Sequence, residues 1–245
     1  MSNQVVHFEV IGTDGAALEG FYHELFDWHL QRVPELGYAT IDTHSGSGIN
    51  GGIGTVQQGE PYVTFYIEVA DLQAALDKIE AAGGKTIVPP TYIPGIVSFA
   101  HFADPAGNKI GLVGSDPNQQ GPGVSEGSGA PVSWFEVLGP NPSGLAKFYE
   151  EQFGWTPTAS DAPGGFEYYQ VEPEQGGIGG GIGSSPDGQP HVTLYAEVAD
   201  LQARLDTAES LGGKALVPPT TLAGVEFAQL LDPQGMAFGL WRNAE

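Results

Sequence analysis

The sequence predicts an α+β fold in two tandem domains, each a pair of βαβββ modules. Three observations carry this reading. The 245 residues are enough for two domains of about 120. The chain also repeats itself: Val5–Trp28 aligns with Val132–Trp155 at 11 of 24 positions, and Val63–Thr91 with Val192–Thr220 at 20 of 29. A repeat of that size is a duplicated domain and not a solenoid unit. Within each copy, alternating strands and striped helices follow the same order twice.

The elements of the first copy can be justified in turn. Val5–Ile11 alternates as a strand does. Asp14 suits the cap of a helix whose Leu18, Phe21, Tyr22, Leu25 and Phe26 form one apolar stripe. Short strands are expected near Gly37–Thr43 and Ile49–Thr55, the second rich in glycine. Tyr62–Val69 alternates clearly, with Val63, Phe65, Ile67 and Val69 on one face and Thr64, Tyr66 and Glu68 on the other. Asp71 caps a second helix carrying Leu72, Ala75, Leu76 and Ile79, stopped by Gly83 and Gly84. Two final strands, about Val97–Ala103 and Lys109–Val113, flank the turn Asp104–Asn108. The domains are therefore expected at 1–114 and 131–245, with 115–130, rich in Gly, Pro and Ser, as a flexible linker.

Composition removes several function classes. Eight Lys and Arg against 30 Asp and Glu give a net charge of −22, with no basic cluster to neutralise phosphates. Nucleic acid is therefore not an expected partner. No apolar run reaches the roughly 18 residues that cross a bilayer, so no membrane partner is expected. The opening MSNQVVHFEV has no basic region followed by an apolar stretch, so a cytoplasmic location is expected. With no cysteine there is no thiolate ligand or nucleophile.

The residues then acquire a resemblance. A first strand with His7, a helix ending in Phe21-Tyr22 and Phe26-Asp27-Trp28, a helix start Val69-Ala70-Asp71-Leu72 and the turn DPAGN resemble the vicinal oxygen chelate superfamily. That superfamily includes glyoxalase I, bleomycin-resistance proteins and extradiol dioxygenases. Trp134-Phe135-Glu136 and Phe148–Trp155 look most similar to tandem glyoxalase-like proteins of actinobacterial type. The resemblance implies paired modules curled into a cup around a divalent metal, helices outside. The implied ligands are a His or Gln on each module's first strand and a Glu on its last. Of these the first copy keeps His7. Thr64 and Thr193 stand at the second modules' His positions, Gly111 and Gly239 at their Glu positions. Gly51 or Gly52, and Gly180 or Gly181, stand at the remaining Glu positions, and Trp134 replaces the second copy's His.

Glycine in place of glutamate removes a ligand and is expected to leave room. The resulting lining is His7, Glu9, Tyr66, Glu68 and His101 in the first copy, and Trp134, Glu136, His191, Tyr195, Glu197 and Gln229 in the second. Glu9, Glu68 and Glu136 are the candidate proton-transfer groups, since burial raises a carboxyl pKa toward neutrality. Tyr66, Trp134, Tyr195, Glu197, His191 and Gln229 are the candidate ligand-binding groups. The plainer alternative stays open: solvated carboxylates at strand ends and tyrosines that simply pack. Trp28 and Trp155 read as core, and His23, His29 and His44 as exposed residues without a role.

Three functions follow. The first is a glyoxalase/bleomycin-resistance-like protein that binds a small organic molecule, cationic or aromatic, with no cofactor. The second is a metal-dependent enzyme, a dioxygenase or lactoylglutathione lyase, with Fe, Zn or Ni held in the first domain by His7, His101 and Glu9 or Glu68. The third is a structural or interaction protein with vestigial cups. A monomer and a homodimer both fit the fused pair.

Overall fold

The structure, a computed structural model, describes residues 3–57, 59–115, 123–160, 166–173, 177–222 and 224–244. The first copy runs β1 (Val5–Gly12), α1 (Gly15–Phe26), β2 (His29–Val33), β3 (Tyr38–Asp42), β4 (Asn50–Thr55), β5 (Tyr62–Val69), α2 (Leu72–Ala81), β6 (Lys85–Ile93), β7 (Val97–Ala103) and β8 (Lys109–Gly114). The second runs β9 (Val132–Gly139), α3 (Pro142–Phe153), β10 (Thr158–Ser160), β11 (Tyr168–Val171), β12 (Gly179–Ser184), β13 (His191–Glu197), α4 (Leu201–Ser210), β14 (Lys214–Leu222), β15 (Val225–Leu231) and β16 (Ala237–Asn243). Each copy forms one mixed sheet of eight strands, ordered β2-β3-β4-β1-β5-β8-β7-β6 and β10-β11-β12-β9-β13-β16-β15-β14. The α+β architecture of paired βαβββ modules is the one the sequence predicts.

Local chemistry sets the helices. The side chains of Asp14, Asp71, Asn141 and Asp200 accept from the backbone N–H three residues on, at 2.9–3.1 Å. These are N-caps that satisfy an otherwise orphaned donor. Two strands escape the sequence reading. β2 is a mostly exposed edge strand without a polar–apolar alternation, and β6 contains Pro89 and Pro90. An edge tolerates proline because its outward N–H groups need no partner. The register of β6 on β7 shifts between Val88 and Thr91, where the prolines stand, and β14 repeats this between Val217 and Thr220.

Two compact units result, and each combines one module from either copy. In the first unit, β5 to β8 with α2 pack with β9 to β12 and α3. Phe65 lies 4.7 Å from Phe135, and Tyr149 stacks on Trp155 at 4.9 Å and 9°. The Tyr149 hydroxyl donates to Asp104 Oδ2 at 3.0 Å. Asp104 is buried, and its Oδ1 also accepts the backbone N–H groups of Ala106, Gly107 and Asn108, each at 2.9 Å. The DPAGN turn is thus a carboxylate cradle closed by a tyrosine from the other copy.

The second unit repeats the device. Here β1 to β4 with α1 pack with β13 to β16 and α4. Tyr22 stacks on Trp28 at 5.7 Å and 6° and meets Phe238 at 5.6 Å. Its hydroxyl donates to Asp232 Oδ2 at 3.1 Å, and Asp232 Oδ1 accepts from Gln234 and Met236. Burial pushes both carboxyls upward, and the hydrogen bonds oppose that shift.

The indoles anchor the chain outside the sheets. Trp155 Nε1 donates to Asn3 O at 2.7 Å, and Trp28 Nε1 to Ala130 O at 2.8 Å. Of the sequence's linker, residues 116–122 lie outside the described residues. Residues 123–130 are held by hydrogen bonds, among them Ser128 Oγ to Asp27 Oδ2 at 2.6 Å and Gly129 N to His44 O at 2.8 Å.

Removing a hydroxyl that serves a buried carboxylate should cost about 1–3 kcal/mol. Tyr149→Phe and Tyr22→Phe are each expected to lower the unfolding free energy by that amount, read as a lower urea midpoint, without changing the fold. Unchanged midpoints would show that neither bond matters.

Candidate functional site

The site begins with a glycine on a central strand. In the first unit, Tyr66 on β5 pairs with Gly111 on β8, and Gly111 pairs with His101 on β7. A side chain on Gly111 would run into the Tyr66 ring. Because none is there, the ring lies across the glycine and reaches the far strand, where its hydroxyl is 2.7 Å from His101 Nε2. Tyr66 and His101 are buried to 5% and 4% exposure. The sequence reading expects room at Gly111; the ring fills it.

A tyrosine laid over a glycine recurs three times, its hydroxyl held by Gln229, by His7 and Glu9, or by Glu136. In the second unit Tyr195 pairs with Gly239, which pairs with Gln229, and Gln229 Nε2 donates to the Tyr195 hydroxyl at 2.7 Å. A Cβ on Gly239 would again meet the Tyr195 ring. In that unit Tyr38 covers Gly52, which pairs with Glu9. Its hydroxyl lies 3.1 Å from His7 Nε2 and bonds Glu9. In the first unit Tyr168 covers Gly181 and donates to Glu136 Oε1 at 3.0 Å. Tyr38 and Tyr168 are absent from the sequence's candidates. Their signal is an aromatic residue on the strand facing each glycine-rich strand, which only the cross-strand register makes readable.

Electrostatics follow from burial. Desolvation lowers His101 to about 4, helped by the nearby Lys109 charge, so the imidazole is neutral at pH 7. Desolvation likewise lowers His7 to about 4. It raises Tyr38 well above the usual phenol range, with the Glu9 charge adding to the effect. At pH 7 the Tyr38 phenol and the His7 and His101 imidazoles are therefore neutral.

The other sequence candidates are more dispersed. Glu68 and Trp134 are half-buried, and the Glu68 N–H donates to Gln4 O at 2.9 Å. Glu197 is exposed. His191 Nδ1 lies 3.2 Å from the carbonyl of Gln189, two residues away. Thr64 Oγ1 donates to Lys109 O at 2.7 Å and Thr193 is buried. Among the described residues, no three His, Asp or Glu side chains are grouped so as to hold a metal ion. A hollow of about 350 Å³ opens beside the start of α3, lined by Pro105, Pro140, Leu145 and Phe148 among others, away from the tyrosine pairs. No helix is long and apolar enough to cross a membrane among the described residues.

Residues 4–112 match the family described as Glyoxalase/Bleomycin resistance protein/Dioxygenase superfamily. CFP32 of Mycobacterium tuberculosis, which carries glyoxylase as a provisional name, is 28% identical over 95% of this chain and 92% of its own length. DnrV of Streptomyces peucetius, an anthracycline biosynthesis protein, is 28% identical over 95% of this chain and 90% of its own. Among solved structures, the 2,3-dioxygenase LapB from Pseudomonas sp. KL28 matches with a TM-score of 0.68 at 14% identity, covering 100% of this chain and 94% of that one. The Mn(II)-bound glyoxalase from Novosphingobium aromaticivorans matches with 0.65 at 16%, covering 98% and 81%. At such identities these two establish the fold alone.

The residues present do not fit the metal that the resemblance implies. The positions expected to bring carboxylates are glycines: Gly111, Gly239, Gly52 and Gly181 are overlaid by tyrosines, the alternatives Gly51 and Gly180 face Phe8 and Phe135, and His7 and His101 are each engaged by a tyrosine hydroxyl.

Two measurements check this geometry. Gly111→Ala should destabilise the chain by about 1–3 kcal/mol through overpacking, and adding Tyr66→Ala should recover part of the loss; no recovery would refute the contact. The second concerns pH. His101 folds neutral with its pKa lowered from 6.5 to about 4, so the unfolded chain binds a proton that the folded chain refuses between those values. Stability is then full above pH 6.5 and falls on acidification by up to ~1.4 kcal/mol per pH unit. Urea denaturation from pH 7 to 4.5 should show a shallower decline for His101→Gln, the residue type standing at Gln229.

Proposed function

We propose that this chain, whose residues 4–112 match the glyoxalase/bleomycin resistance protein/dioxygenase superfamily, binds a planar hydroxylated aromatic molecule without that superfamily's metal. One observation carries the reading: tyrosine rings cover Gly111 and Gly239, where chelating carboxylates are expected, and Tyr38 and Tyr168 cover Gly52 and Gly181, each one of the two positions open to the remaining carboxylate. What each module presents instead is a phenol hydroxyl fixed by His, Gln or Glu. Hydrogen-bonding groups set among aromatic surfaces suit an organic ligand better than an ion. Phe99, Phe227, Trp134 and Trp241 are half-buried on the same or adjoining strands and offer faces for stacking.

The ligand class draws support from DnrV, whose name places it in anthracycline biosynthesis. An anthracycline is a planar, hydroxylated ring system, the shape such faces accommodate. Neutral tyrosine, histidine and glutamine would meet its hydroxyl and carbonyl oxygens with directional hydrogen bonds. The carboxylates Glu9 and Glu136, each bonded to a tyrosine hydroxyl, would add negative charge that favours a cationic amino substituent, in keeping with the net charge of −22.

The test uses tag-free protein purified without chelator. Metal analysis should find far less than one transition-metal ion per chain, and an anthracycline should quench tryptophan fluorescence saturably, equally with and without EDTA. Stoichiometric iron, manganese, zinc or nickel, lost in His7→Ala, would contradict the proposal.

A further inference from the structure

The two copies are near-duplicates in sequence, yet their corresponding strand faces differ in charge. In β8 the residues Ile110 and Leu112 are fully buried, so Lys109, Gly111 and Val113 share the opposite face by strand alternation. Gly111 carries the Tyr66 ring and pairs with His101, which places Lys109 on the face of that pair. Lys109 is half-buried and pairs with Ala103 on β7. Its carbonyl accepts from Thr64, and its charge is felt at His101. The second copy has Ala237 at this place, Leu231 for Ala103, Gln229 for His101 and Trp241 for Val113. One face thus carries a lysine and a histidine where the other carries an alanine and a glutamine.

We infer that the Tyr66–His101–Lys109 face is a binding site for an organic anion, an aromatic ligand bearing a carboxylate, and that the Tyr195–Gln229 face takes neutral ligands. This deepens the binding function proposed above and rests on it. Eight basic residues stand against 30 acidic ones, so a half-buried lysine on a strand face is not part of a general basic surface. A cation in a partly desolvated place attracts an anion far more strongly than it would in water. Hydrogen bonds to a charged partner are also the strong ones. Tyr66 and His101 lie on the same strand face and are bonded to one another at 2.7 Å. Phe99, whose ring lies 5.6 Å from that of His101, supplies an apolar wall for the ring of the ligand. Glu68 stands on the same strand as Tyr66, two residues further on, so the face is anion-seeking at the Lys109 end and not throughout.

The probes are 4-hydroxybenzoate and its neutral isostere 4-hydroxybenzamide, titrated calorimetrically into the full chain. The benzoate should bind about ten-fold more tightly, a difference of ~1.4 kcal/mol. Lys109→Ala, the residue of the second copy, should bring the benzoate affinity down to that of the benzamide; Lys109→Met is the alternative if alanine impairs folding. Lys147→Ala, on the exposed face of α3, should have no effect. NMR titration of His101 gives an independent reading. Its pKa should rise in Lys109→Ala without ligand, and should rise in the wild type when the benzoate binds. Equal affinities, a preference that survives both Lys109 variants, or no binding of either probe would overturn the assignment. Failure of the metal-free function itself shows separately, as stoichiometric metal in the purified chain.

Discussion

A tyrosine ring laid flat across a glycine is the contact on which the rest of this site depends. The geometry needs a glycine on the middle strand of three, because any Cβ there collides with the ring. It needs the aromatic residue on the neighbouring strand and, for Tyr66 and Tyr195, a polar side chain on the far one. Glycine weakens a strand by lost entropy and missing packing surface. Here the ring supplies that packing, and its hydroxyl finds a partner on the far strand. The same contact occupies the place of a chelating carboxylate.

The second organising contact joins the copies. Each compact unit takes one module from either copy, and a tyrosine from α1 or α3 closes the carboxylate cradle of the partner module's turn. Burial of Asp104 and Asp232 would be costly alone; three or more donors to each make it tolerable. Tandem duplication thus does more than repeat a fold. It lets the copies diverge on their polar faces, as at Lys109 and Ala237, while the Tyr–Asp joints stay alike.

Much of the fold is readable from residue pattern alone because its causes are local. Asp14 and Asp71 cap, Gly83 terminates, and Tyr62–Val69 alternates within spans of a few residues. What depends on register across strands is not readable. β6 hides behind two prolines that only an edge position excuses. The room expected at Gly111 is taken by a residue 45 positions earlier, and Tyr38 gains its meaning from Gly52 and Glu9. Tyr22 and Tyr149 read as packing residues in the sequence, which they are. Their hydroxyls' partners, 210 and 45 residues away, come from another module.

The central claim is that tyrosines, not a metal, organise these strand faces. The most direct test is a titration of the isotopically labelled chain with Mn(II), followed by NMR of the histidine imidazoles. A paramagnetic ion broadens resonances near it steeply with distance. The account predicts that His7 and His101 remain sharp at stoichiometric Mn(II), while exposed histidines broaden weakly and together. Selective loss of the His7 and His101 signals at substoichiometric ion would contradict it.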